Sequence, residues 1–224
     1  KQTAARHSMR FIDDGNIVGL GTGSTAEYAV RFLAERLQNG LKIKGIPTSE
    51  RTARLGAELG IPLATLDQYQ KIDVAIDGCD EADPQLRLIK GAGGAFLREK
   101  IIASAAKKFV IIADSSKQVQ ILGKTPLPVE VVPFAQTLVA KEIEALGATA
   151  KLREDSRGKL YVTDEGHHIF DCHFGPIADP AALGRQLEAI PGVVEHGLFI
   201  GMADIVLIGQ GETVVELRAD KQKS

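Results

Sequence analysis

The sequence predicts an α/β fold: a parallel-sheet, doubly wound main domain with a small ferredoxin-like α+β lid inserted into it. Three observations carry this. The first half alternates short apolar segments with amphipathic ones, and repeated βα units with short connections imply a parallel sheet covered by helices on both sides. The second half changes to a β-α-β-β-α-β order over about 70 residues, the split-βαβ pattern. The apolar run 203–208 (ADIVLI) then has the character of a strand returning to the first sheet. The expected division is a discontinuous main domain, residues 1–126 and 203–224, around a lid of residues 127–202.

The elements follow in order. Residues 16–21 (NIVGLG) make a short apolar strand ending in glycine. The predicted helix 24–37 puts Tyr28, Phe32, Leu33 and Leu37 roughly on one face. A strand at 42–48 leads into a helix that starts at Ser49 and Glu50 and runs through Leu59. Residues 73–77 (DVAID) are apolar except at their ends, as expected of a strand buried on both faces. A strand at 86–90, a helix from about 95 to 107 and the strand 109–114 (FVIIAD) complete the parallel series. Prolines in 126–133 (PLPVEVVP) mark a boundary. Beyond it the lid takes helices near 134–146 and 180–190, with strands near 149–153, 168–173 and 193–198. The tail 218–224 is polar and Lys-rich and is expected to fray.

Composition narrows the function. A chain of 224 residues with 44% hydrophobic and 25% charged residues has ordinary globular composition and supports a real core. A net charge of −2 offers no basic field for nucleic acid or an anionic membrane, so a phosphorylated ligand has to be held by a local site. Cys79 and Cys172 are too few for a disulfide framework and point to a reducing, cytoplasmic compartment. No apolar run reaches membrane-spanning length, because Lys107 and Lys108 break the best candidate, 101–113. The start, Lys1-Gln2-Thr3, shows neither signal-peptide character nor an initiator Met, and the chain is expected to begin a few residues in.

Four polar clusters fall just after four predicted parallel strands: Thr22-Gly23-Ser24-Thr25, Asp77-Gly78-Cys79-Asp80, Lys90 with Gly91, Ala92, Gly93 and Gly94, and Asp114-Ser115-Ser116-Lys117. The carboxyl ends of parallel strands share one edge, and ligands bind in the crevice there. The glycines of 21–25 (GTGST) let backbone N–H groups turn inward, the next helix offers unpaired N–H groups, and Ser24 and Thr25 add hydroxyls, which together suit a phosphate. The plainer reading of that segment is a tight turn with Ser24 as a helix N-cap. Segment 77–83 (DGCDEAD) concentrates four carboxylates, and crowded carboxylates acquire raised pKa values that suit proton transfer. Its alternatives are a solvated acidic loop or a Mg²⁺ site, though the spacing does not fit an EF-hand loop. Asp77 and Asp80 are expected to point inward, with Glu81 and Asp83 solvated or structural. Segment 90–100 (KGAGGAFLREK) places a lysine, a glycine turn and the helix-borne Glu99 close together, as an electrophile and a base. An acid in a first helical turn is also favoured by the helix dipole, which lowers its pKa, so a catalytic Glu99 needs burial to compensate.

Taken together, GTGST, DGCDEAD, KGAGGAFLREK, ADSSKQVQILGKTPLPVEV and the late IPGVVEHGLF and GMADIVLIG segments resemble the type A ribose-5-phosphate isomerase family, in that family's order and over nearly the whole chain. The resemblance implies substrate binding by Thr22, Gly23, Ser24 and Thr25, by Asp77, Gly78, Cys79 and Asp80, and by Lys90, Gly91, Ala92 and Gly93. It implies Glu99 as proton acceptor, Lys117 as a substrate-contacting lysine, and a tie between Lys1 and a lysine near the phosphate. It also implies metal-independent, cofactor-free chemistry in the non-oxidative pentose phosphate pathway, with a homodimer as the common state and a tetramer as the alternative. The implied mechanism moves a proton from C2 to C1 of open-chain ribose 5-phosphate through an enediolate. Glu99 is then the base, Lys90 the oxyanion partner, and Asp77 and Asp80 assist ring opening and move protons between O1 and O2.

Three rivals stand beside it. Gly21-x-Gly23-x-x-Ala26 with Glu50 downstream satisfies a loose dinucleotide fingerprint, but leaves DGCDEAD and Lys90–Glu99 unexplained. A sugar-phosphate-sensing regulatory domain has no use for Glu99. A metal-dependent isomerase must draw on His7, His167, His168, His173 and His196, and the three near one strand span too far to close on one ion.

Overall fold

The computed structural model describes residues 1–219. Helix α1 (Gln2–Ser8) precedes β1 (Ile17–Leu20), and α2 (Ala26–Gln38), β2 (Lys44–Pro47), α3 (Glu50–Glu58) and β3 (Val74–Asp77) follow in alternation. Two short strands, β4 (Glu81–Ala82) and β5 (Leu88–Ile89), come before α4 (Phe96–Ala105) and β6 (Phe109–Asp114). The second half contains β7 (Leu127–Val131), α5 (Gln136–Ala145), β8 (Thr149–Leu152), β9 (His168–His173), α6 (Pro180–Glu188) and β10 (Val193–His196). Strands β11 (Leu198–Phe199), β12 (Ile205–Gln210) and β13 (Thr213–Arg218) close the described chain.

The main sheet has the order β13-β12-β6-β3-β1-β2. Every pairing in it is parallel except that of β12 with β13. Its pleat sorts the apolar residues onto two faces. Val18, Leu20, Val74, Ile76, Val110, Ile112, Ile205 and Leu207 pack with Ala4 and Ala5 of α1 and Val30 and Leu33 of α2. The alternate positions, Ala75, Phe109, Ile111, Ala113, Val206 and Ile208, pack with Phe96, Ile102 and Ala103 of α4. Both faces are covered, which is why these strands read as continuous apolar runs. The returning strand at 203–208 is β12, paired in parallel with β6.

Residues 127–196 form a second, four-stranded antiparallel sheet of order β10-β7-β9-β8. Counted within this unit the order is fourth, first, third, second, the ferredoxin-like arrangement. One face packs on Val139 and Ile143 of α5 and Leu183 and Leu187 of α6, around Val129, Val131 and Phe170.

Four features differ from expectation. The strand at 86–90 was expected in the parallel sheet, but β5 lies in a three-stranded antiparallel sheet of order β11-β5-β4. The reason is chain length: a parallel neighbour needs a crossover of about a dozen residues or more, and only a short excursion separates β3 from β5. The expected strand 193–198 divides at Gly197 into β10 and β11, which serve different sheets. A Cβ at Gly197 would sit 2.2 Å from the Lys90 carbonyl oxygen, so the chain passes there without a side chain. Helix α1 and the edge strand β13 were not foreseen, being too short or too polar to show a period. The Lys-rich tail from residue 220 lies outside the described residues, while Arg218 ends β13.

This topology locates a site. From β1 the chain moves outward to β2, and it then returns to place β3 on the other side of β1. The crevice at such a reversal, at the carboxyl ends of β1 and β3, is where open α/β sheets bind ligands.

Candidate active site

The floor of the crevice is the meeting of Gly21 and Asp77. Gly21 N donates to Ile76 O at 3.0 Å. A Cβ on Gly21 would lie 2.3 Å from Asp77 Oδ1 and 2.6 Å from Asp77 Cα, so only glycine lets the two strand ends touch. Thr22 N donates to Asp77 Oδ1 at 3.1 Å. The Thr22 hydroxyl is enclosed by those of Thr48, Ser49 and Thr52 at 2.8, 2.8 and 3.0 Å, so it anchors the turn. Ser24 is exposed, and its Oγ accepts from Lys1 Nζ at 2.9 Å. Thr25 occupies the N-cap position of α2 without a side-chain cap bond. Ser24 is therefore not the cap, and the hydroxyls of Ser24 and Thr25 remain at the cavity wall.

The acidic segment is structural on one side and chemical on the other. Glu81 is buried and accepts from the N–H groups of Gly123, at 2.8 Å, and Thr125, pinning that loop. Asp83 is buried and accepts from Gln85 N at 2.9 Å, Arg87 N at 3.0 Å and Arg87 Nε at 2.5 Å. The solvated-loop reading fails: of the two alternatives for Glu81 and Asp83, solvated or structural, the structural one holds, and both are more buried than Asp80. Asp80 is half-buried, lines the cavity, and its Oδ2 accepts from Ala92 N at 2.8 Å.

The chemical side is a buried triad. Lys90 Nζ lies 3.2 Å from Asp77 Oδ2 and 3.0 Å from Glu99 Oε2, and it donates to Gly78 O at 2.5 Å. All three side chains are 4% exposed or less. The Phe199 ring, 5.3 Å from Nζ, covers another side of the ammonium. One cation is thus shared by two carboxylates in a desolvated setting, where a single proton relieves the excess negative charge. Burial raises the Glu99 carboxyl and the charge of Asp77 raises it further, to about 8, against the pull of Lys90. Burial also raises Asp77, but Lys90 and the N–H groups of Gly78, at 2.7 Å, and Thr22 oppose this. Both carboxyls of the pair are thus raised by burial, and they share one cation. Burial alone would lower Lys90, yet Asp77 and Glu99 outweigh it and hold Lys90 above its ordinary value, fully charged. Glu99 lies in the first turn of α4, where the dipole favours the anion, and burial overrides that effect.

A cavity with about 480 Å³ of empty space, part of it open to solvent, lies over this triad. Its wall includes Thr22, Gly23, Ser24, Thr25, Gly78, Cys79, Asp80, Lys90, Gly91, Ala92, Gly93, Glu99 and Lys117, and also Lys1. The fold therefore gathers every residue to which the resemblance assigns a role except Asp77, whose carboxylate pairs with Lys90 and is not part of the wall; of the residues picked out by their place after a strand, Gly94, Asp114, Ser115 and Ser116 also lie outside it. Lys90 arrives from the small antiparallel sheet instead of from a parallel strand. Burial pushes the Cys79 thiol up to about 12, so it is no nucleophile. The histidines lie elsewhere: His167 Nδ1 contacts Glu130 and His168 Nδ1 contacts Gln136, each at 2.9 Å. His196 is buried beside Glu188 at 3.3 Å. Among the described residues no group of three His, Cys, Asp or Glu side chains is arranged to hold a metal ion. Glu50, the acid of the dinucleotide reading, is paired with Arg98 at 3.0 Å. Arg153 and Tyr161, which touch the glycine loop, carried no signal in the sequence because their partners are more than sixty positions away.

The sequence profile described as Ribose 5-phosphate isomerase A (phosphoriboisomerase A) matches residues 44–213. Ribose-5-phosphate isomerase A of Roseiflexus sp. (strain RS-1) is 54% identical over 222 residues, covering 98% of this chain and 95% of the relative. That of Synechococcus sp. (strain JA-3-3Ab) is 53% identical over 221 residues, covering 97% and 96%. The structure of ribose 5-phosphate isomerase A from Methanocaldococcus jannaschii superposes with a TM-score of 0.93 at 40% identity, over 97% of each chain. A D-ribose-5-phosphate isomerase in complex with phospho-erythronic acid gives 0.94 at 42%, over 97% of this chain and 96% of that one. Likeness of this extent, in sequence and in the path of the chain, leads to one conclusion: the chain belongs to the ribose-5-phosphate isomerase A family.

Proposed function

We propose that the chain interconverts ribose 5-phosphate and ribulose 5-phosphate through an enediolate, with Glu99 as the base. The carrying observation is the Glu99 carboxylate itself: buried, 3.0 Å from the Lys90 ammonium, and in the wall of a cavity that also presents Ser24, Thr25, Lys1 and Lys117. Glu99 takes the C2 proton of the open-chain aldose, and the electron pair moves to make the C1–C2 double bond and an oxyanion at O1. Lys90 stabilises that charge in a site where water does not screen it. Asp80, at the wall, moves the proton between O1 and O2, and Asp77 acts through Lys90 by holding it in place. Return of the proton from Glu99 to C1 gives the ketose. Ser24, Thr25, Lys1 and Lys117 hold the phosphate. The reaction belongs to the non-oxidative pentose phosphate pathway, and we propose a cytoplasmic homodimer in which residues 127–202 act as a lid. No helix among the described residues is long and apolar enough to cross a membrane.

The purified protein is expected to convert ribose 5-phosphate to ribulose 5-phosphate with no added cofactor and at an undiminished rate in EDTA. Complete dependence on an added divalent ion overturns the enediolate scheme in this form. Replacing Ser24 and Thr25 together with Ala is expected to raise KM strongly and weaken inhibition by other sugar 5-phosphates, with kcat less affected. A fall in thermal stability alone would place the phosphate elsewhere.

A further inference from the structure

We infer that Arg153 is a positioning residue for this isomerisation: it turns the glycine loop so that the Gly93 N–H donates into the cavity. The inference rests on the isomerase reading above. Arg153 directly follows β8, outside the main sheet, and its side chain is 12% exposed. Asp171 on β9 holds its guanidinium in a two-point fork, Nε donating to Oδ2 at 3.0 Å and Nη2 to Oδ1. A fork of this kind fixes the plane of the group and leaves the third nitrogen aimed. That nitrogen, Nη1, crosses to the main domain and donates to Gly91 O at 2.8 Å and to Ala92 O at 3.3 Å.

Peptide geometry turns these contacts into a statement about the opposite side of the loop. In a planar trans peptide the N–H points away from the C=O of the same unit, and among the described residues there is no cis peptide. For the Gly91–Ala92 unit the result is visible: with its carbonyl on Arg153, the Ala92 N–H donates to Asp80 Oδ2 at 2.8 Å on the cavity side. For the Ala92–Gly93 unit the same rule directs the Gly93 N–H to the cavity side. There it meets no acceptor among the described residues, and Gly93 lines the cavity. Gly94 N closes the turn on Gly91 O at 3.0 Å, and the Tyr161 hydroxyl donates to Gly93 O at 3.4 Å. A Cβ on Gly94 would stand 2.3 Å from that hydroxyl oxygen, so Tyr161 braces the loop from behind. An unpaired N–H fixed in a wall shared with Lys90 is a donor for the oxyanion that forms at C1 and C2, and it costs no reorganisation during the reaction.

The competing account is a strut: Arg153 and Asp171 tie two units together and affect stability only. The test compares wild type with Arg153→Gln, Arg153→Lys and Asp171→Asn. It measures kcat, KM, melting temperature, and calorimetric affinity for phospho-erythronic acid and for inorganic phosphate. The carboxylate of phospho-erythronic acid supplies two oxygens resembling those of the enediolate, whereas inorganic phosphate probes only the phosphate end. Arg153→Gln is expected to lose about 10- to 100-fold in kcat and a similar factor in affinity for phospho-erythronic acid, with phosphate affinity unchanged. Arg153→Lys is expected to recover part of both, and Asp171→Asn, which keeps the guanidinium but loosens its fork, to show a smaller loss in the same direction. Variants with a lowered melting temperature but unchanged kcat and unchanged analogue affinity overturn the inference, as does equal weakening of both ligands. If Arg153→Gln does not fold, Asp171→Asn decides by the same split. A wild type that neither isomerises ribose 5-phosphate nor binds phospho-erythronic acid overturns the isomerase reading, and this inference with it.

Discussion

Glu99→Gln is expected to fold, to bind phospho-erythronic acid, and to lose about 10²- to 10⁴-fold in kcat with KM little changed. The amide keeps the size of the carboxylate and can still face Lys90, but it cannot accept a carbon-bound proton. A purely structural Glu99 at a helix start predicts only about 0.3–1 kcal/mol of lost stability with turnover intact. The pH dependence separates the two accounts further. The base must be ionised, and burial with Asp77 alongside puts the Glu99 carboxyl at about 8, so kcat/KM of the free enzyme is expected to rise with pH and level off above that value. Stability runs the other way. A carboxyl raised from 4.5 to about 8 in the fold contributes stability that is fully present below 4.5 and lost as pH rises through about 8. The melting temperature of Glu99→Gln relative to wild type is therefore expected to climb across that window and then stay level. Wild type in deuterated solvent is expected to place some deuterium in the product, and the variant none. An active Glu99→Gln enzyme removes Glu99 from the mechanism and leaves Asp80, the other carboxylate at the cavity wall, as the base.

Lys90→Met is expected to have the second large effect, on stability and turnover together. The ammonium is the shared partner of Asp77 at 3.2 Å and Glu99 at 3.0 Å, and its removal leaves two buried carboxyls facing each other. Breaking a buried charge cluster from one side costs about 3–5 kcal/mol. Losing an oxyanion donor costs about 10²–10³ in kcat. With the cation gone the Glu99 carboxyl rises further, so the acid limb of any residual activity moves to higher pH. Adding Glu99→Gln to Lys90→Met is expected to restore part of the stability and none of the activity, because the repulsion is removed but the chemistry is not. Additive stability losses in this double-mutant cycle would show that the two residues are not coupled.

Much of this was legible in the chain. The continuous apolar runs of the strands and the helical spacing of Tyr28, Phe32, Leu33 and Leu37 are local signals, because a strand or helix must bury its apolar faces whatever its partners. The clusters at 22–25, 77–80 and 114–117 follow parallel strands β1, β3 and β6 as read, and a parallel sheet brings such ends to one edge. The five motifs in order identified the family because together they span the chain, although each alone is weak.

The rest required the folded chain. A strand of two residues, such as β5, has no period long enough to reveal its partner, so its move to the antiparallel sheet with β4 and β11 was invisible. Whether Ser24 capped α2 was a question of where the helix begins, and the structure answers it with Thr25 at the cap position. The sequence determined which residue types would meet at the sheet edge. It left open which of them would be dry. Asp77, Lys90 and Glu99 were candidates by position and by resemblance, but the burial beneath Phe199 and against one another that gives them their chemistry is a property of the folded chain. Desolvation depends on everything packed around a group, including Gly21 and Gly197, whose missing side chains admit Asp77 and the Lys90 backbone. Arg153 shows the same limit from the other side, since its hold on Gly91 and Ala92 exists only because two separately built units come into contact. Local pattern follows from neighbours in the chain, whereas pKa and the direction of a backbone N–H follow from neighbours in space.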